Sequence, residues 1–187
     1  AKENEMKLGF VSAILDGWTF EEMMDTAAGL GYECVEAACW PQGKAERRYA
    51  GVSHIDVDND SRGYVAHIHE TCKKTGVEIS ALAYYPNTMD GDFQKQEDAI
   101  RHLKKVIAFS EKLGIGMVTT FVGRDQTKSV EENLEAFGRI WPPIIQYAEE
   151  HGVRIAIENC PMLFGREQWP GGITCLHHPP FGEKCLI

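Results

Sequence analysis

AEEHGVRIAIEN, Ala148 to Asn159, decides how the rest of the chain is read. Its first half closes an amphipathic helical run at Gly152. Its second half is a short apolar run that stops on Glu158. A glycine just past a helix end suits the left-handed cap position. The same join recurs upstream in AAGLGYECVEA around Gly31, CKKTGVEISAL around Gly76 and SEKLGIGMVTTF around Gly114. These glycines stand 45, 38 and 38 residues apart, room for one helix, one strand and two loops. Repetition at that period marks a fold made by repeating one unit.

A first strand, Lys7 to Ala13, precedes the first helix. Thr19 with Glu22, and Ser129 with Glu132, are capping boxes that start the first and fourth helices. The second helix is expected over about 61–75. The third is expected over about 93–113, where Ile100, Leu103, Ile107 and Leu113 fall near helical spacing. Pro142-Pro143 is expected to interrupt or kink the fourth. Strands alternating with helices of this length imply a parallel sheet with helices outside, an α/β fold. An open doubly wound sheet and a (β/α)8 barrel both satisfy that pattern. FVSAILDGW, after the first strand, is not G-x-G-x-x-G, which argues against a dinucleotide site.

The 187 residues suit one domain, and a net charge of −9 argues against a binder of nucleic-acid backbone. No apolar stretch approaches the roughly 20 residues that span a bilayer, so no membrane partner is expected. AKENEMKLGF lacks signal-peptide character, and Ala1–Glu5 reads as an extension upstream of Met6. None of the six cysteines forms a C-x-x-C pair. They are expected to be reduced thiols in a cytoplasmic protein.

Parallel α/β folds carry their sites at the C-terminal strand ends. The second strand, Tyr32 to Glu36, is expected to end on its carboxylate. The third ends in Tyr84, Tyr85, Pro86 and Asn87, and the fourth in Phe121, Gly123, Arg124 and Asp125. On the fifth, Arg154, Ala156 and Glu158 share one face and Ile155 and Ile157 the other. Glu158 thus points inward, as a metal ligand, an acid/base or half of a buried ion pair. Glu36 is a site residue or part of a salt bridge at the mouth. Asn87, Tyr85 and Phe121 are candidates to line a pocket, and Trp18 and Trp40 to cover it. Arg124 suits a substrate phosphate or carboxylate, or a structural pair with Asp125. His54, in GVSHIDVDND, is a candidate substrate-loop residue, whereas His67 and His69 read as surface histidines.

MKLGF, LGYECVEAACWP, LAYYPN, TTFVGRD and RIAIENCPM together resemble the sugar phosphate isomerase/epimerase family, xylose isomerase-like barrels related more distantly to endonuclease IV. The resemblance covers about residues 6–172 and implies the first five units of a (β/α)8 TIM barrel. It further implies a divalent metal, Mn²⁺ or Mg²⁺, and proton transfer next to a carbonyl of a sugar or sugar phosphate. Of the four metal-holding side chains such relatives carry, only the first maps here, onto Glu158, as metal ligand and catalytic residue. Asn159 beside it is a substrate-binding candidate.

Five strands are used by Glu158, whereas a barrel of the usual length needs roughly 115 residues more. Residues 173–187, ITCLHHPPFGEKCLI, show neither helix nor strand periodicity. Read one nucleotide earlier, their codons admit the family's usual continuation, so a frameshift near Gly172 is expected, with 1–172 a partial barrel and 173–187 an aberrant tail. Three functions follow as expectations. The first is a metal-dependent isomerase or epimerase whose partner is a small sugar, completed by association with itself or another fragment. The others are an endonuclease IV-like repair enzyme and a non-catalytic barrel fragment.

Overall fold

The computed structural model describes residues 6–43 and 50–158. Within them, β1 (Gly9–Val11), α1 (Phe20–Gly29), β2 (Cys34–Ala38), α2 (Arg62–Thr75), β3 (Glu78–Ala83), α3 (Phe93–Leu113), β4 (Met117–Thr120), α4 (Val130–Glu150) and β5 (Arg154–Ile157) alternate. All neighbouring strands pair in parallel, in the order β1-β2-β3-β4-β5. A doubly wound sheet reverses its strand order at a switch point. This one never does, so the winding is that of a barrel wall.

Local chemistry explains the punctuation. Gly31, Gly76, Gly114 and Gly152 all take positive φ, between 63° and 80°, where a side chain would be strained. Both capping boxes form, with Thr19 and Ser129 each accepting from the backbone N–H three residues on. Helix α4 runs through Pro142 and Pro143 rather than stopping there. Its buried face, with Phe137, Trp141 and Ile144, holds it against the core.

Two strand boundaries differ from expectation. The first strand stops at Val11, because Ser12–Ile14 turn into a 3-10 helix. The second runs past Glu36 to Ala38, so Glu36 lies inside the strand and not at its end. The sheet's outer face carries Val35, Ala37, Leu82 and Val118. These join Met23, Met24, Ile68, Leu103, Ile107 and Trp141 from the helices in one apolar core. Asn159 and the 173–187 tail lie outside the described residues.

Candidate active site

Strand register fixes which residues share the inner face. Val11 pairs with Glu36, and Glu36 with Ala81 across a register shift after Val35. One layer nearer the C-terminal mouth, Ala38, Ala83, Thr119 and Ala156 stand side by side. Barrel interiors are usually filled by bulky branched side chains. Here alanines hold many of these positions, with Met117 and Arg154 paired on the same face one layer below Thr119 and Ala156.

Three larger polar side chains share that face. The Tyr85 hydroxyl donates a short hydrogen bond to Glu36 Oε1. Burial, followed by this bond, pushes the phenol well above the usual tyrosine range, and the Thr119 hydroxyl lies beside it. Phe121 packs on the Tyr85 ring at 4.7 Å between centroids. Glu158 continues β5 by donating its N–H to the Thr120 carbonyl at 2.9 Å, which keeps it on the face of Ala156. Desolvation and then the charge of Glu36 raise its carboxyl above the usual range. Glu36, Tyr85, Phe121 and Glu158 are thus brought together.

The other candidates sit at the rim in different roles. His54 is buried, with Nδ1 2.9 Å from the Ser12 hydroxyl and Nε2 3.2 Å from the Leu15 carbonyl. Ser12 accepts from Ala38 N–H at 2.8 Å, so its own proton is free to point at Nδ1. Both ring nitrogens of His54 are thereby engaged in tying the end of β1 to the end of β2. Asn87 donates to the Arg124 carbonyl at 2.8 Å and accepts from Met89 N–H at 3.2 Å, clipping the β3 loop to the β4 loop. Arg124 is buried, and desolvation lowers its proton affinity against the opposing charge of Asp125. The Asp125 carboxylate accepts from Thr127 at 2.7 Å and pairs with Lys128 at 3.3 Å. His67 lies outside, paired with Glu21 between α2 and α1. Thr119 escaped the sequence reading. Strand alternation from Ala81 through Ala83 to Tyr85 is the signal that would have ranked Tyr85 higher.

Two carboxylates are hard oxygen donors, which suits Mn²⁺ or Mg²⁺ by type. By number they fall short: among the described residues no group of three or more His, Cys, Asp or Glu could hold a metal ion. Among the same residues, no helix is long and apolar enough to cross a membrane.

A parallel wall wound in sequence order is the form of a TIM barrel. The family model described as xylose isomerase-like TIM barrel matches residues 24–170, and the chain belongs to that family. Among solved structures, D-psicose 3-epimerase with D-tagatose from Clostridium cellulolyticum H10 superposes with a TM-score of 0.58 at 15% identity. That match covers 87% of this chain and 54% of the epimerase. A xylose isomerase domain protein from Planctomyces limnophilus gives 0.61 at 10% identity, covering 96% and 59%. The IolI protein with a bound zinc atom gives 0.59 at 18%, covering 81% and 51%. At these identities the likeness is one of fold, and the chain spans little more than half the length of these structures. A search of curated protein sequences finds no match.

Proposed function

We propose that this chain carries the N-terminal part of a sugar isomerase or epimerase site, acting by proton transfer at the carbon next to a carbonyl. The observation that supports this reading is the approach of Glu158, at the strand mouth on the face of Ala156, to Glu36 inside β2. Glu158, at the tip of β5 on the face of Ala156, is placed to take a proton from carbon. Glu36, fixed by Tyr85, accepts hydrogen bonds from the substrate. A divalent metal, when bound, supplies Lewis-acid stabilisation of the oxygen charge that develops, with Glu158 among its ligands. Phe121 and Tyr85 shield one side from water.

The test is deuterium wash-in. The full chain is incubated in D2O with Mn²⁺ and D-fructose or D-tagatose, and the carbon next to the carbonyl is followed by NMR. Exchange that falls by about 10²–10⁴-fold in Glu158→Gln supports the reading, as expected for loss of a general base. Exchange absent from the native chain, or equal in the variant, overturns it. A second reading, an assembly piece completed by another copy or fragment, is favoured by one observation. Among the described residues β1 and β5 each have a single partner strand, and Leu8, Val11 and Ile14 are exposed along β1. Under that reading, exchange appears only in fractions larger than a monomer.

A further inference from the structure

Glu36 stops short of the end of β2, yet its charge is felt at Glu158, just past the end of β5. The strand register shows how the two come near. Glu36 pairs with Ala81, and Tyr85 follows Ala81 on the same inner face, a rise of roughly 13 Å for an extended chain. The phenol and the carboxylate nonetheless share a short hydrogen bond. They close that gap only by leaning toward each other, the ring back along the wall and the carboxylate up toward the mouth.

Two neighbours hold the Tyr85 ring in this lean. Phe121 packs on it at 4.7 Å between centroids. The Thr119 hydroxyl donates to the phenol oxygen. Thr119 is itself anchored across the sheet, paired with Ala83 and accepting at its carbonyl from Tyr84 N–H at 3.1 Å. A phenol carries one proton and accepts through its oxygen, so donation runs one way, from Thr119 to Tyr85 to Glu36. The last bond ends on a carboxylate, the kind of acceptor that makes short, strong bonds. Phe121 follows Thr120, whose carbonyl accepts from Glu158 N–H at 2.9 Å. Tyr85, Phe121 and Glu158 therefore come from three neighbouring strand ends.

We infer that Tyr85 and Thr119 are positioning residues: Tyr85 draws the Glu36 carboxylate from inside β2 toward the mouth, and Thr119 holds Tyr85 in that pose. Neither needs to touch the substrate. What they supply is a carboxylate brought toward the level of Glu158 from another strand of the wall. This rests on the reading of Glu36 as a group that accepts hydrogen bonds from a sugar. It adds that the placement of that group is set from β4 and from the segment that follows β3.

Deuterium wash-in of the full chain with Mn²⁺, followed over a range of D-tagatose concentrations, separates KM from the maximal rate and tests the relay. Tyr85→Phe keeps the ring and removes the bond. It is expected to raise KM about tenfold, the loss of one hydrogen bond to a charged group, with little change in maximal rate. Thr119→Val, one bond further away, is expected to raise KM about threefold, and Thr119→Ser to restore it. In a Glu36→Ala background, Tyr85→Phe should change KM no further, because the group it places is gone. A merely structural role would lower the maximal rate by leaving fewer active molecules, with KM unchanged, and that result overturns the inference. So do effects of Tyr85→Phe and Glu36→Ala that simply add. If Tyr85→Phe does not fold, Thr119→Val and Thr119→Ser carry the test. A KM unchanged in both relay variants, with exchange still lost in Glu158→Gln, overturns the positioning role and leaves the proposed function standing. A native chain that shows no exchange overturns both.

Discussion

The two faces of the sheet solve opposite problems with the same five strands. On the outer face, Val35, Leu82 and Val118 meet the helices and leave no solvent-accessible surface. On the inner face, small alanines alternate with acids and a phenol. One face is apolar throughout; the other carries charged groups. Holding carboxylates near each other is unfavourable. The inner face tolerates it because the outer face supplies the stability that holds the wall in place.

Substitutions at Trp141 sharpen that contrast most. The side chain is fully buried on α4, stacked on Phe137 at 5.8 Å. Trp141→Ala should cost about 3–5 kcal/mol in denaturant unfolding, as large-to-small changes in a core do. Trp141→Phe should cost less than its lost volume suggests, because the indole Nε1 has no hydrogen-bond partner among the described residues and its removal relieves a desolvated donor. On the inner face, Tyr85→Phe should cost about 1.5–3 kcal/mol, the net worth of one hydrogen bond to a charged group. Equal losses from both faces would erase the distinction.

The loop clip at the rim comes next in size. Gly123 has φ +78°, and a Cβ there would lie 1.9 Å from Asn87 Oδ1 and 2.8 Å from Asn87 Cα. Gly123→Ala should cost about 1–2 kcal/mol for the left-handed backbone alone, with displacement of Asn87 adding to it. The same variant should weaken ligand binding, since Asn87 joins the loops after β3 and β4. A variant with unchanged melting temperature would mean that the clip is dispensable and the rim far looser than the core.

Much of the wall was legible in the sequence, and for a physical reason. Helix ends are written in local chemistry, so Thr19, Ser61 and Ser129 at the starts and Gly76 and Gly114 at the stops mark these helices closely. The packing of Ile155 and Ile157 against the core also followed from alternation alone. What could not be read is contact between strands. Glu36 looked like the end of β2 because a charge seemed to close the apolar run, yet Ala37 and Ala38 continue it. Its bond to Tyr85 spans 49 residues and depends on the register shift after Val35, which leaves no local mark. His54 looked like a free loop histidine for the same reason, its partner Ser12 lying 42 residues away.

The smallest effect asks whether the rim is as tightly built as the core, with one buried histidine on each side as the probe. His102 on α3 donates from Nε2 to the Cys39 carbonyl at 2.7 Å and sits edge-on to Tyr84. His54 is held by Ser12 and Leu15. Burial lowers the proton affinity of both below the ordinary value of 6.5. The unfolded chain then binds more protons than the native one once pH falls below about 6.5. Stability present at neutral pH is therefore lost as pH drops from 6.5 toward the folded-state values. The effect is modest because the backbone carbonyls and nearby acids oppose desolvation: Asp16 faces His54, and Asp58 and Asp56 face His102, the latter group offset by Lys105. Melting temperatures measured from pH 7.5 to 5 should fall in the native chain and fall less in His102→Gln and in His54→Gln. If only the His102 variant flattens the curve, His54 already exchanges protons with water in the native state. The rim then opens where the core does not, and access to the inner face runs past the Ser12–His54 tie.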